Sequence, residues 1–312
     1  RLAYMADRGM GALEYRPVLE HATGEDDIDL AQLYQESQAV YEGDTSSILD
    51  ALRLAGGSPA GARPKVVVAL SPDRKQCNTS FQQLPAGYQH WLVKFRSPTE
   101  HRDTGTIEYA YALLAERAGV KMAASDLLTV SSANGTERFF AAQRFDRHGN
   151  SKLHMMTASG ILYADHRAPS LDYSDLLKTT HAVTNHAAEV ERMARLMVFN
   201  ALTHNHDDHA KNFAFLHDQG RWTLGPAYDL TYAPVQGFAD EHTTSFNGSG
   251  LATRKNLKQV CSAFRYLDPD LYIEQTLDVL SGWSSLCNEL EIDPNQQRII
   301  QRAFNEIRKR LD

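Results

Sequence analysis

The ten residues THNHDDHAKN at 203–212 hold three histidines (His204, His206, His209), two aspartates (Asp207, Asp208), Lys211 and Asn212. Two chemistries draw on such a set. Imidazole and carboxylate groups together bind zinc or iron. An aspartate followed by an asparagine serves phosphoryl transfer, where one group handles a proton and the other a magnesium ion.

The metal reading takes residues 204–209 as H-x-H-x-D-H, the ligand run of the metallo-β-lactamase superfamily. That run should follow a strand and lead into small residues at a tight turn. Here a long helical pattern precedes it, and Ala210-Lys211-Asn212 follows, setting an ammonium beside the cation. The second reading takes Asp207 and Asn212 as D-x-x-x-x-N, the spacing of a kinase catalytic loop. Two short strands later comes Pro226-Ala227-Tyr228-Asp229-Leu230, which supplies a second aspartate in the order that kinases use. Mg²⁺ is hard and keeps waters, so one amide oxygen and one carboxylate beside phosphate oxygens suffice. Lys211 lies close enough to neutralise phosphate charge.

Such a loop needs phosphate-binding groups upstream. Lys94, in WLVKF, stands where a lysine for the α- and β-phosphates would, and Glu108, early in a helix, is a candidate ion-pair partner. The alternatives are plain: an edge-strand lysine reaching solvent, and a glutamate favouring the helix dipole. GGSPAGARPK (56–65) joins a helix to a strand and offers backbone N–H groups to phosphate, although it is not G-x-G-x-x-G. His204 and His206 read as capping or packing residues, and Asp208 as a group that holds the loop rigid.

The elements that would position these residues follow from periodicity. Helices are expected at 28–43, 46–57 and 106–120, and strands at 64–70, 91–95, 126–132 and 138–145, the last two split at Asn134-Gly135. Beyond residue 150 the pattern turns helical: 171–178, then a long helix over 183–203 with Val190, Ala194, Met197 and Ala201 on one face. A hairpin over 212–224 turns at Asp218-Gln219-Gly220, and helices resume from about Asn256. Trp91, Trp222 and Trp283 read as packing residues. The basic C-terminal helix reads as a solvated amphipathic face. The fold class expected is α+β with two lobes and a cleft between them: a small mixed α/β N-lobe over 1–145 and a mainly helical C-lobe over 146–312.

At 42% apolar and 23% charged, the 312 residues suffice for two cores. A net charge of −7 argues against whole-surface attraction to nucleic acid or anionic membrane. Three distant cysteines (Cys77, Cys261, Cys287) read as reduced thiols of a cytoplasmic protein. No apolar run approaches the roughly eighteen residues of a membrane span. The chain opens on Arg1, and GMGALEYRP reads as the interior of a sheet, so a preceding portion is expected.

DDHAKN and PAYDL, with GGSPAGARPK upstream and QRFDR between them, resemble the HipA-type serine/threonine kinases, toxins of bacterial toxin–antitoxin modules. The resemblance runs over nearly the whole chain and implies a protein-kinase-like fold using ATP and Mg²⁺. It makes Asp207 the catalytic base, Asn212 and Asp229 the metal ligands, and Lys94 the ATP-phosphate lysine. Gln143-Arg144-Phe145 matches the hinge that holds adenine largely through its backbone, with Gln143 where the family usually has Glu. Ala60, Gly61, Ala62, Arg63 and Lys65 match the phosphate-contacting loop, and His209, Lys211 and Tyr228 fall beside the nucleotide. Ser58 matches the serine that members autophosphorylate. The implied partners are a HipB-like helix-turn-helix antitoxin, DNA through that antitoxin alone, and a protein substrate, with an aminoacyl-tRNA synthetase among the family's known targets. The N-terminal β subdomain of full-length members is largely missing here, either cut away or carried on a separate polypeptide. A small-molecule kinase on the same fold and a catalytically silent regulatory subunit remain the alternatives.

Overall fold

The computed structural model describes residues 9–17, 28–41, 63–79, 84–132, 135–165, 171–234 and 241–311. The chain divides into two compact units: Arg1–Tyr109 with Ala123–Met155, and Ala110–Met122 with Met156–Asp312. The helix expected over 46–57, Ser58, Ala60, Gly61, Ala62 and Asn134 lie outside the described residues.

In the first unit, a helix α1 (Leu30–Tyr41) precedes strands β1 (Lys65–Leu70), β2 (Cys77–Asn78) and β3 (Gln89–Lys94). Strands β4 (Ser125–Ser132) and β5 (Gly135–Gln143) complete an antiparallel sheet in the order β2-β1-β3-β5-β4. The valine run of β1 suits a pleated, buried surface. Alternation sends Val66, Val68 and Leu70 to the same core as Trp91, Val93, Phe139 and Ala141, where Leu30, Leu33 and Tyr34 of α1 join them. Tyr34, Phe95 and Phe139 pack with centroids 4.8–5.6 Å apart. Truncating an aromatic in such a core costs about 3–5 kcal/mol.

The register sets Lys65 opposite Lys94, and Lys94 opposite Phe140, so all three side chains leave one face of the sheet. A helix α2 (Thr104–Arg117) begins against β5 so closely that a Cβ on Gly105 would meet the Arg138 carbonyl at 2.6 Å. Residues 9–17 form turns and no strand, contrary to expectation. Their polar backbone is taken by side chains instead of a ladder. Gly9 O accepts from Arg144 and Arg147, and Gly11 N donates to Asp146 at 2.7 Å.

In the second unit the helices expected over 171–178 and 183–203 are α3 (Tyr173–Thr184) and α4 (Ala187–Leu202), the first running six residues further than expected and the second starting four residues later. Asn185 divides them by taking the left-handed conformation at φ 48°, the usual helix-ending geometry. Asp172 caps α3 by accepting from Ser174 N. Val190, Ala194, Met197 and Ala201 are all fully buried. The hairpin of β6 (Ala214–Asp218) and β7 (Arg221–Leu224) turns through Gln219 and Gly220, both at positive φ. Four helices follow: α5 (Arg254–Cys261), α6 (Pro269–Ser281), α7 (Trp283–Glu289) and α8 (Pro294–Leu311). Trp283, Tyr111, Phe199 and Phe304 make an aromatic cluster, while Ile300, Ala303, Phe304 and Ile307 form the buried stripe of α8. Trp222 is only half-buried, beside His217 on the hairpin. The three cysteines are buried and reduced, each thiol pushed up to about 12 chiefly by burial. Among the described residues no helix is long and apolar enough to cross a membrane.

Candidate active site

Lys94 is buried on the central strand β3, not on an edge. Its ammonium pairs with Oε1 of Glu108, whose side chain is 1% exposed. The other oxygen, Oε2, accepts from Arg63 Nη1 at 2.9 Å, and Arg63 Nε donates to Glu100 Oε1 at 2.5 Å. Buried charges persist only when paired, because an isolated one costs several kcal/mol. The Lys94 Nζ lies 5.7 Å from the Phe140 ring centroid. Like charges directly opposite in a sheet are unfavourable. Lys65 and Lys94 leave the same face of the sheet, and two cations so placed are of the kind a nucleotide triphosphate would need.

The segment expected to hold adenine is more committed. Gln143 N donates to Ala124 O and Arg144 N to His90 O, each at 2.8 Å, and the Gln143 amide contacts Gln89. The Arg144 guanidinium is bidentate on Asp146, at 3.0 and 2.7 Å. Arg147 Nη1 adds a third contact to Asp146 at 2.9 Å. Burial alone would raise the Asp146 carboxyl, but the Arg144 hydrogen bond and both guanidinium charges hold it below its ordinary value. Burial and the Arg144 and Arg147 charges lower His90 to about 4. The Arg144 side chain and the two amides thus have intramolecular partners, and Phe145 is half-buried.

In the second unit the loop after α4 turns sharply at His204, φ 55°. Asn212 Nδ2 donates to the Asp207 carbonyl at 2.7 Å, closing the loop and leaving Oδ1 as the atom suited to a metal. The Asp207 side chain is 65% exposed, with His209 Nε2 at 3.8 Å from its Oδ1. The Tyr228 hydroxyl donates to Lys211 O, and burial followed by the Asp229 charge raises its pKa. Asp229 adopts φ 60°, a conformation that non-glycine residues hold only where surroundings impose it. The loop thus brings Asp207, His209, Lys211, Asn212 and Tyr228 together, with Asp229 next in sequence.

Asp208 points the other way and is fully buried. Tyr173 OH donates to its Oδ2 at 2.8 Å, His242 Nδ1 lies 3.0 Å from the same oxygen, and Thr244 N donates to Oδ1 at 3.0 Å. Thr244 Oγ1 also donates to the Asp208 carbonyl. Asn200 Nδ2 donates to Tyr173 OH at 3.0 Å. Burial and the adjacent carboxylate raise Tyr173 well above its ordinary value. His204 and His206 are buried and packed ring on ring at 4.6 Å. Among the described residues no three His, Cys, Asp or Glu side chains converge to hold a metal, which counts against the zinc reading. Sequence reasoning missed Glu100, Tyr173, His242 and Thr244. Nothing in their spacing marks them, since each meets the site through tertiary contact. Glu108 was visible as a candidate.

Three comparisons bear on this geometry. The model of the HipA-like C-terminal domain family matches residues 57–311. "Putative kinase Y4dM" of Sinorhizobium fredii is 25% identical over 172 residues, 51% of this chain and 41% of that protein, so the chain spans well under half of that relative. A chain of the Shewanella oneidensis HipA–HipB–operator DNA complex superposes with a TM-score of 0.65 at 16% identity, covering 96% of this chain and 75% of its own. The Helicobacter pylori kinase CtkA reaches a TM-score of 0.49 at 14% identity over 72% of this chain and 88% of that one, too low to carry an argument. The chain belongs to the HipA-like C-terminal domain family.

Proposed function

We propose that this chain is an ATP- and Mg²⁺-dependent serine/threonine kinase of the HipA type. The observation that carries the reading is the buried Lys94–Glu108 pair on the central strand, the arrangement that aims a lysine at the α- and β-phosphates. Residues 1–145 supply Lys94 and Lys65 to the phosphates, and Gln143–Phe145 to adenine. Residues 146–312 supply the catalytic loop, where the exposed Asp207 accepts the proton of the attacking hydroxyl. His209, Lys211 and Tyr228 line the nucleotide. Asn212 and Asp229 would hold Mg²⁺, whose charge offsets that of the phosphates.

Ser58 is the proposed site of autophosphorylation, with Ala60–Ala62 beside it; roughly −2 of added charge there would expel the loop from a triphosphate site. The HipB of the Shewanella complex supports a helix-turn-helix antitoxin as partner, with DNA reached through it. The remaining assignments are a cytoplasmic location, a protein target such as an aminoacyl-tRNA synthetase, and growth arrest as the outcome.

Peptide mass spectrometry after incubation with ATP and Mg²⁺ tests the reading. A phosphate on Ser58 in the wild type and none in Asp207→Asn is expected. ATP turnover on an aminoglycoside or sugar with Ser58 unmodified would favour a small-molecule kinase. Nucleotide bound but never turned over would favour a silent regulatory subunit.

A further inference from the structure

The sequence places Arg63 among residues that touch phosphate, but its guanidinium has another occupation. Nε and Nη1 each serve a different carboxylate, Glu100 at 2.5 Å and Glu108 at 2.9 Å. Glu108 divides its two oxygens between two cations, Oε2 to Arg63 and Oε1 to Lys94. Glu100 is itself anchored, its Oε2 accepting from Ser97 N at 2.7 Å. The backbone beside Arg63 is fixed as well, since Pro64 O accepts from Phe95 N at 2.9 Å and Lys65 stands opposite Lys94.

We propose that Arg63 is a positioning residue that sets the Glu108 carboxylate and, through it, the Lys94 ammonium, and that it is not a phosphate ligand. The inference rests on the proposed nucleotide-binding role of Lys94. The planar guanidinium can bridge two carboxylates at fixed angles, which a lysine ammonium on a flexible stem cannot do. With Oε2 held by Arg63, Glu108 offers Oε1 to Lys94, so the place of Arg63 sets the place of the lysine's partner. Two cations and two carboxylates balance in this set, so the Arg63 charge is already met by Glu100 and Glu108.

The test is a double-mutant cycle read as the affinity of the intact chain for fluorescent ATP and ADP analogues. Arg63→Ala is expected to weaken both nucleotides equally, by about tenfold, a change of about 1.4 kcal/mol. In a Lys94→Met background the same substitution is expected to change nothing, because its route to the nucleotide is gone. Glu100→Gln moves affinity in the same direction, about threefold. Arg63→Lys keeps the charge and does not rescue, and it serves as the second variant should Arg63→Ala fold poorly.

A loss that persists in Lys94→Met, rescue by Arg63→Lys, or unchanged or tighter binding in Glu100→Gln would each overturn the proposal in favour of direct phosphate contact. Absence of nucleotide binding in the wild type would instead bring down the kinase reading, and this inference with it.

Discussion

Two charged residues show two ways of building a site on one chain. Lys94 is fixed by long, ionic side chains: Glu108, Arg63 and Glu100 reach one another from a helix, a loop and the segment between strand and helix. Asp208 is fixed by short contacts from Tyr173, His242 and the Thr244 amide, all aimed at one buried carboxylate. The second pins backbone, so that Asp207, one residue away, stands exposed in a fixed loop. On the proposed reading, binding and chemistry are served by different kinds of rigidity.

The sharpest way to break that contrast is Asp208→Ala. Removing the acceptor strands three buried donors, and a loss of about 3–5 kcal/mol is expected from urea unfolding. A loss under about 0.5 kcal/mol, typical of a surface change, would show that the network holds nothing.

A second test uses acid. His90 is neutral in the folded protein down to about 4, whereas the unfolded chain protonates it from about 6.5. The unfolded state therefore binds the extra proton in between, and stability falls as pH drops from 6.5 towards 4. Below that both states are protonated and no more is lost. Across two pH units the contribution is about 3 kcal/mol. His90→Gln is expected to unfold less steeply with acid than the wild type, and identical pH profiles would remove the claim.

The smallest effect is expected from Glu108→Gln. It keeps the shape but leaves Lys94 without its ionic partner, and ATP affinity should fall about tenfold, or about 1.4 kcal/mol. Titration with a fluorescent nucleotide reads it. Unchanged affinity would mean that the ion pair does not aim the lysine.

The same contrast explains what was legible in the sequence. Asp207 and Asn212 are neighbours in one loop, so spacing alone proposed their contact, and the structure joins them by a hydrogen bond. Lys94 and Glu108 meet only through the sheet register and the lie of α2 on β5, which Gly105 permits and no local pattern announces. Strands β1, β3, β4 and β5 were visible as short apolar runs, β1 through its three consecutive valines, whereas the two-residue β2 was not. The break between α3 and α4 was expected before residue 183 and lies at Asn185, where one left-handed residue ends α3. GMGALEYRP reads as a sheet interior, whereas Arg144, Asp146 and Arg147 claim its backbone from far along the chain.

The most direct test is single-turnover phosphate transfer at saturating ATP and Mg²⁺, wild type against Asp207→Asn. Loss of a positioned general base predicts a fall of about 10²–10⁴-fold, with nucleotide affinity and unfolding midpoint unchanged because the side chain is exposed. Transfer that continues at the wild-type rate would contradict the assignment of Asp207, and with it the account of this loop as a phosphoryl-transfer site.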